Sequence, residues 1–79
     1  MQMARVFIMK EILLENDWVN YRTGCSCIGL PRYWKNEDRP GWIVITKGSM
    51  FSVTLKGDFM CKGNEKEFYQ KMKEYGLVS

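Results

Sequence analysis

The sequence predicts an α+β fold: a small antiparallel β-meander packed against one C-terminal α-helix, with additional strands from the N-terminal segment. Two observations carry most of that expectation. Two segments rich in β-branched and aromatic residues, Trp42 to Lys47 and Met50 to Lys56, are separated only by Gly48 and Ser49, which suits a two-residue hairpin with glycine in the first turn position. Downstream, Asn64 precedes Glu65, Lys66 and Glu67, so an asparagine N-cap with glutamate at the third helical position marks a helix start.

Taken in chain order, the first element is the hardest to assign. Arg5 to Leu14 is apolar nearly all round, and periodicity alone does not separate helix from strand in such a run; strand is the expectation. Val19 to Tyr21 and Cys25 to Ile28 flank Arg22, Thr23 and Gly24 as a further hairpin, which would place Cys25 and Cys27 on one face. From Gly29 to Gly41 the chain carries Pro31 and Pro40. That stretch is expected to be an irregular loop, of a length more common in functional loops than in plain connectors.

The meander has a testable register. Pairing Lys47 with Met50 sets Thr46 opposite Phe51, Val44 opposite Val53 and Trp42 opposite Leu55, leaving Ser52, Thr54 and Lys56 on the other face. A second glycine-first turn, Gly57-Asp58, then leads into Phe59 to Lys62 with Met60 beside Leu55. In the helix, Phe68, Met72 and Tyr75 recur at i, i+4 and i+7 and define the buried stripe. Gly76 provides a left-handed stop, after which Leu77 can fold back on the last turn.

Length and composition narrow the class of protein. Seventy-nine residues make one domain, 1–79, whose core is barely large enough to stand alone, so support from self-association is expected and the chain reads as a homo-oligomer. The three cysteines, Cys25, Cys27 and Cys61, are too few and too oddly spaced for a secreted disulfide framework, and reduced thiols in a cytoplasm fit better. The chain contains no histidine, so a four-ligand zinc site lacks donors and the usual proton shuttle is missing. Neither metal nor cofactor is expected. With no acid, base and nucleophile set in view, the protein reads as a non-enzyme. Charged residues interrupt the N-terminal apolar run and no stretch reaches the length of a membrane span, so no membrane partner is expected.

Charge then points to a ligand. Residues 18 to 57 hold six cations against two acids, and no acid occurs from Trp18 to Lys35. Within that basic middle lie Arg32, Tyr33, Trp34 and Lys35, two large aromatics between two cations, a composition able to stack a base and neutralise a phosphate. The same two rings could instead fold inward as a small core beneath the loop. Arg22 and Arg39 complete the candidate ligand-binding set. A duplex binder generally shows a stronger basic face than a net charge of +3 and a pI near 8.8, which favours a small nucleotide-like anion over long nucleic acid. A nucleic-acid or protein-interaction adaptor, or a minor structural component, is the alternative.

The run Gly24-Cys25-Ser26-Cys27, followed by Gly29-Leu30-Pro31-Arg32-Tyr33-Trp34-Lys35-Asn36, a meander and an acid-capped helix, resembles uncharacterised small proteins carried by phages and mobile elements of gut bacteria. The resemblance implies a phage accessory protein in the host cytoplasm. Proteins of that size include oligomeric, non-catalytic sponges that sequester nucleotide immune signals, an anti-defence role.

Overall fold

A computed structural model of the chain describes residues 9–24 and 30–79. Its elements run α1 (Met9–Glu15), β1 (Val19–Thr23), β2 (Arg32–Lys35), β3 (Trp42–Lys47), β4 (Met50–Leu55), β5 (Asp58–Asn64) and α2 (Glu65–Glu74). The five strands form one antiparallel sheet in the order β1-β2-β3-β4-β5, so every strand pairs with its neighbour in sequence. The α+β class and the meander backed by a C-terminal helix are what the sequence led us to expect.

The β3–β4 hairpin adopts the expected register throughout, from Lys47 opposite Met50 to Trp42 opposite Leu55. Gly48 takes a φ of 59°, a left-handed value that a side chain would resist. The next turn differs from expectation. Its central residues are Lys56 and Gly57, with φ of 52° and 88°, and Leu55 pairs with Asp58 rather than with Met60. Two successive positive φ values are those of a type I′ turn, whose twist matches that of the flanking strands. A register shift between Val53 and Thr54 then restores Val53 opposite Cys61. Met60 still packs on the core as a partly buried residue.

Two further expectations are corrected. Residues 9 to 15 of the N-terminal segment form a helix rather than a strand. Met9, Ile12 and Leu13 are its buried residues, and their i, i+3, i+4 spacing is that of one helical face. The helix stops in a Schellman arrangement: Asp17 has φ 70°, its N–H donates to the Leu14 carbonyl, and the Trp18 N–H donates to the Leu13 carbonyl. In the second correction, the stretch from Gly29 to Gly41 is not wholly irregular, because Arg32–Lys35 is a strand inside it. That strand pairs with β1; the strand expected at Cys25 to Ile28 lies outside the described residues.

The core lies on one side of the sheet. Trp34, Val44, Phe51 and Val53 project from β2, β3 and β4 against Leu13 of α1, Phe68 and Met72 of α2, and Leu77 and Val78 of the C-terminal tail. Phe51 and Phe68 meet edge to face at 4.9 Å between centroids. α2 is set by its cap, since the Asn64 side chain accepts from the Lys66 and Glu67 N–H groups. Its end repeats the Schellman pattern with Gly76 at φ 71° and the Leu77 N–H donating to the Met72 carbonyl. Of the expected stripe, Phe68 and Met72 are buried, whereas Tyr75 remains exposed and leans on Trp42. The Trp18 indole N–H donates to the Leu77 carbonyl, and Asn16 accepts from the Ser79 N–H, so the tail is tied to the end of α1.

Candidate functional site

Strand alternation sorts the candidate residues before any ligand is considered. Because both helices and the tail occupy one face, the opposite face of the sheet has no described element over it, and residues of odd and even register have opposite fates. Across all five strands, one outward row runs Arg22, Tyr33, Ile45, Ser52 and Lys62, and a second runs Val19, Lys35, Ile43, Thr54 and Phe59. Cations stand at both ends of the first row. The aliphatic residues Ile43 and Ile45 form a half-buried apolar middle.

Tyr21 joins this face through an irregularity in β1. The ladder from β1 to β2 shifts between Asn20 and Arg22, so Tyr21 is an extra residue in a β-bulge, a device that re-aims a side chain. As a result two consecutive residues, Tyr21 and Arg22, both reach the open side. The Tyr21 and Tyr33 rings meet at 6.3 Å in an edge-on pair. The Arg22 guanidinium lies 5.3 Å from the Tyr33 ring centre and the Lys35 ammonium 5.4 Å from that of Tyr21. Asn20 holds the bulge closed, its amide donating to the carbonyls of Arg22 and Tyr33 at 2.9 and 3.0 Å.

Of the six residues that the sequence put forward, the structure therefore brings three together: Arg22, Tyr33 and Lys35. Trp34 is removed from the set. It is 1% exposed in the core and donates from its indole nitrogen to the Thr46 hydroxyl at 3.0 Å, so no ligand can stack on it. Arg32 stands on the helix side of the sheet, in a cleft of about 250 Å³ shared with Met9, Lys10, Thr46 and Glu65. The carboxylate of Glu65 makes that cleft mixed in charge. Arg39 occupies the turn between β2 and β3, where its N–H donates to the Asn36 carbonyl and its Nε is buried with no hydrogen-bond partner.

From the sequence, Tyr21 fits either the loop aromatics or the core and stands outside the candidate set, and sequence reasoning missed Lys47 and Lys62. The last two flank a shallow depression of about 230 Å³ on the open face, floored by Pro31, Ile45, Met50 and Ser52. The strands as a set hold five cations, Arg22, Arg32, Lys35, Lys47 and Lys62, and one acid, Asp58. The basic excess of the chain's middle is thus a property of the sheet.

The thiol chemistry is quiet by comparison. Cys61 is free and half-buried against the core, and loss of hydration on burial raises its pKa, with Lys71 opposing the rise and Glu74 adding to it. Cys25 and Cys27 lie outside the described residues. No group of three metal-ligating side chains occurs among the described residues. No described helix is long and apolar enough to cross a membrane.

Comparisons with family models, with curated proteins and with solved structures return no match to this chain.

Proposed function

We propose that this protein is a non-enzymatic binding module that takes a nucleotide-like anionic ligand on the open face of its sheet. The observation that supports the reading is the cluster of Tyr21 and Tyr33 with Arg22 and Lys35, set on a face whose strands are almost free of acids. Aromatic faces accept bases of any sequence, and cations within a few ångströms of the same rings neutralise the attached phosphate. Sequestration of a nucleotide signal, the role that the resemblance to phage-carried proteins implies, is one use of such a face. A homo-oligomer in the host cytoplasm would supply several copies of it.

Ligand-induced stabilisation tests the reading. A nucleotide present at a hundred times its Kd should raise stability by about 2.7 kcal/mol. For a domain of this size that corresponds to a rise in Tm of about 10 to 20 °C. Tyr33→Ala and Arg22→Ala should each remove most of that gain while lowering the ligand-free Tm by no more than about 4 to 8 °C. A panel of mononucleotides, dinucleotides and cyclic dinucleotides with no effect on Tm at millimolar concentration would refute it.

A further inference from the structure

We infer that the ligand of this face is a single strand of nucleic acid lying across the sheet, with a second base-sized position between Lys47 and Lys62. The inference rests on the nucleotide reading above and goes beyond it in naming a polymer. Three features of the open face carry it.

The first is extent. A mononucleotide would be satisfied by Tyr21, Tyr33, Arg22 and Lys35, all on β1 and β2, yet the basic and apolar surface continues to the opposite edge. Four inter-strand spacings of about 4.8 Å separate β1 from β5, roughly 19 Å in all. Open antiparallel sheets of four strands stack two or three bases in other single-strand binders.

The second feature is the depression floored by Ile45, Met50 and Ser52. Its lining is mostly apolar, as a base requires, and Lys47 and Lys62 both contribute to it. It begins at Ile45, the register partner of Tyr33, and extends across Ser52 to Lys62, three strands from Tyr33. A base stacked on Tyr33 does not reach Lys62, roughly 14 Å away by strand spacing, whereas consecutive nucleotides do. Phe59, 61% exposed at the far edge, offers another ring on the same face.

The third is charge complementarity. Arg22, Lys35, Lys47 and Lys62 are spread over the face rather than gathered at one point, which suits phosphates at intervals. The modest total disfavours a duplex, whose binders usually contact many phosphates on a strongly basic surface. Among the described residues no helix stands on this face to enter a major groove.

Fluorescence anisotropy with labelled ten-nucleotide oligo(dT) and oligo(rU), competed by thymidine and uridine monophosphates and by a ten-base-pair duplex, tests the inference. The single strands should bind at least a hundredfold more tightly than either monophosphate and at least tenfold more tightly than the duplex. With up to four phosphates neutralised, log Kd should rise with log salt at a slope of about 2 to 3. Lys62→Ala and Phe59→Ala should weaken the oligonucleotide severalfold and leave monophosphate binding unchanged, because neither residue belongs to the Tyr33 cluster. Both are exposed, and thermal melts confirm that the variants fold.

Equal affinity for monophosphate and ten-mer, with no effect of Lys62→Ala, would overturn this inference and leave the nucleotide reading standing. Failure of every nucleotide and oligonucleotide to bind would overturn both. A stable dimer that binds no oligonucleotide, and that Ile45→Lys dissociates, would assign the face to a second copy of the chain and overturn the inference likewise.

Discussion

Replacing Trp34 and replacing its neighbour Tyr33 should have opposite consequences, although the two rings are adjacent in sequence. Trp34 is 1% exposed and packs within the cluster that joins the sheet to both helices. Truncating a buried tryptophan to alanine costs about 3–5 kcal/mol through lost burial and the cavity left behind. A 79-residue chain of ordinary stability has only about 4–12 kcal/mol in total. Trp34→Ala should therefore lower Tm by about 12 to 40 °C or leave the protein largely unfolded at 37 °C. Trp34→Phe isolates the polar part of the effect: it keeps most of the volume and strands the Thr46 hydroxyl, for a cost of about 1–3 kcal/mol. Tyr33 is half-buried on the open face, and Tyr33→Ala should cost no more than about 1 kcal/mol. Urea denaturation followed by tryptophan fluorescence and far-UV circular dichroism gives all three values. Should Trp34→Ala retain an unfolding free energy within about 1 kcal/mol of the wild type, the packing of Trp34 would be refuted, and with it the removal of Trp34 from the ligand-binding set.

Three other outcomes follow from named interactions. Asn64→Ala leaves the Lys66 and Glu67 N–H groups without their acceptor and should destabilise the fold by about 1 kcal/mol, measurable by the same denaturation. Asp17→Gly relieves a left-handed backbone at the end of α1 and should stabilise by about 0.5–1 kcal/mol; a loss of stability would contradict the Schellman stop. The raised pKa of Cys61 means that the folded state favours the protonated thiol. Its contribution to stability is therefore fully present below about pH 8.5, the value of a solvated thiol, and declines as the pH rises through the higher folded value. Consistently, Cys61 should alkylate more slowly with iodoacetamide at pH 8 than a small free thiol, as peptide mass spectrometry would report.

The features that were legible in the sequence are those where a local signal and the tertiary requirement agree. Gly48 can adopt the positive φ that its turn needs, and the alternation of Trp42, Val44 and Thr46 against Phe51, Val53 and Leu55 leaves a single register with one buried face. α2 is announced by its cap and ended by Gly76 in the same way. Elsewhere the signal is too short. β2 has four residues, of which Trp34 alone is buried, so no alternation is visible and Pro31 nearby argues for a loop. α1 spans only seven residues, embedded in a run whose outer positions are also apolar, and two turns do not establish a period. Lys56 in a left-handed conformation goes against its own preference; twist compatibility between β4 and β5 overrides it.

The candidate site divides along the same line. Tyr33, Lys35 and Arg22 are found from an aromatic and cationic composition, but strand alternation, hidden until β2 is recognised, sends Trp34 and Arg32 to the other side of the sheet. Tyr21 faces outward because of a bulge that Asn20 closes from the side, and bulges leave no simple mark in a sequence. Lys47 and Lys62 become members of the face only once β3, β4 and β5 are aligned.

The most direct test of a ligand-binding open face is a nuclear magnetic resonance titration of the uniformly labelled protein with a short oligo(dT), read residue by residue. The amide shifts should move at Tyr21, Arg22, Tyr33 and Lys35 and extend to Ser52 and Lys62, with α1 and α2 unmoved. Shifts confined to the helix side, around Lys10, Arg32 and Glu65, would contradict the account.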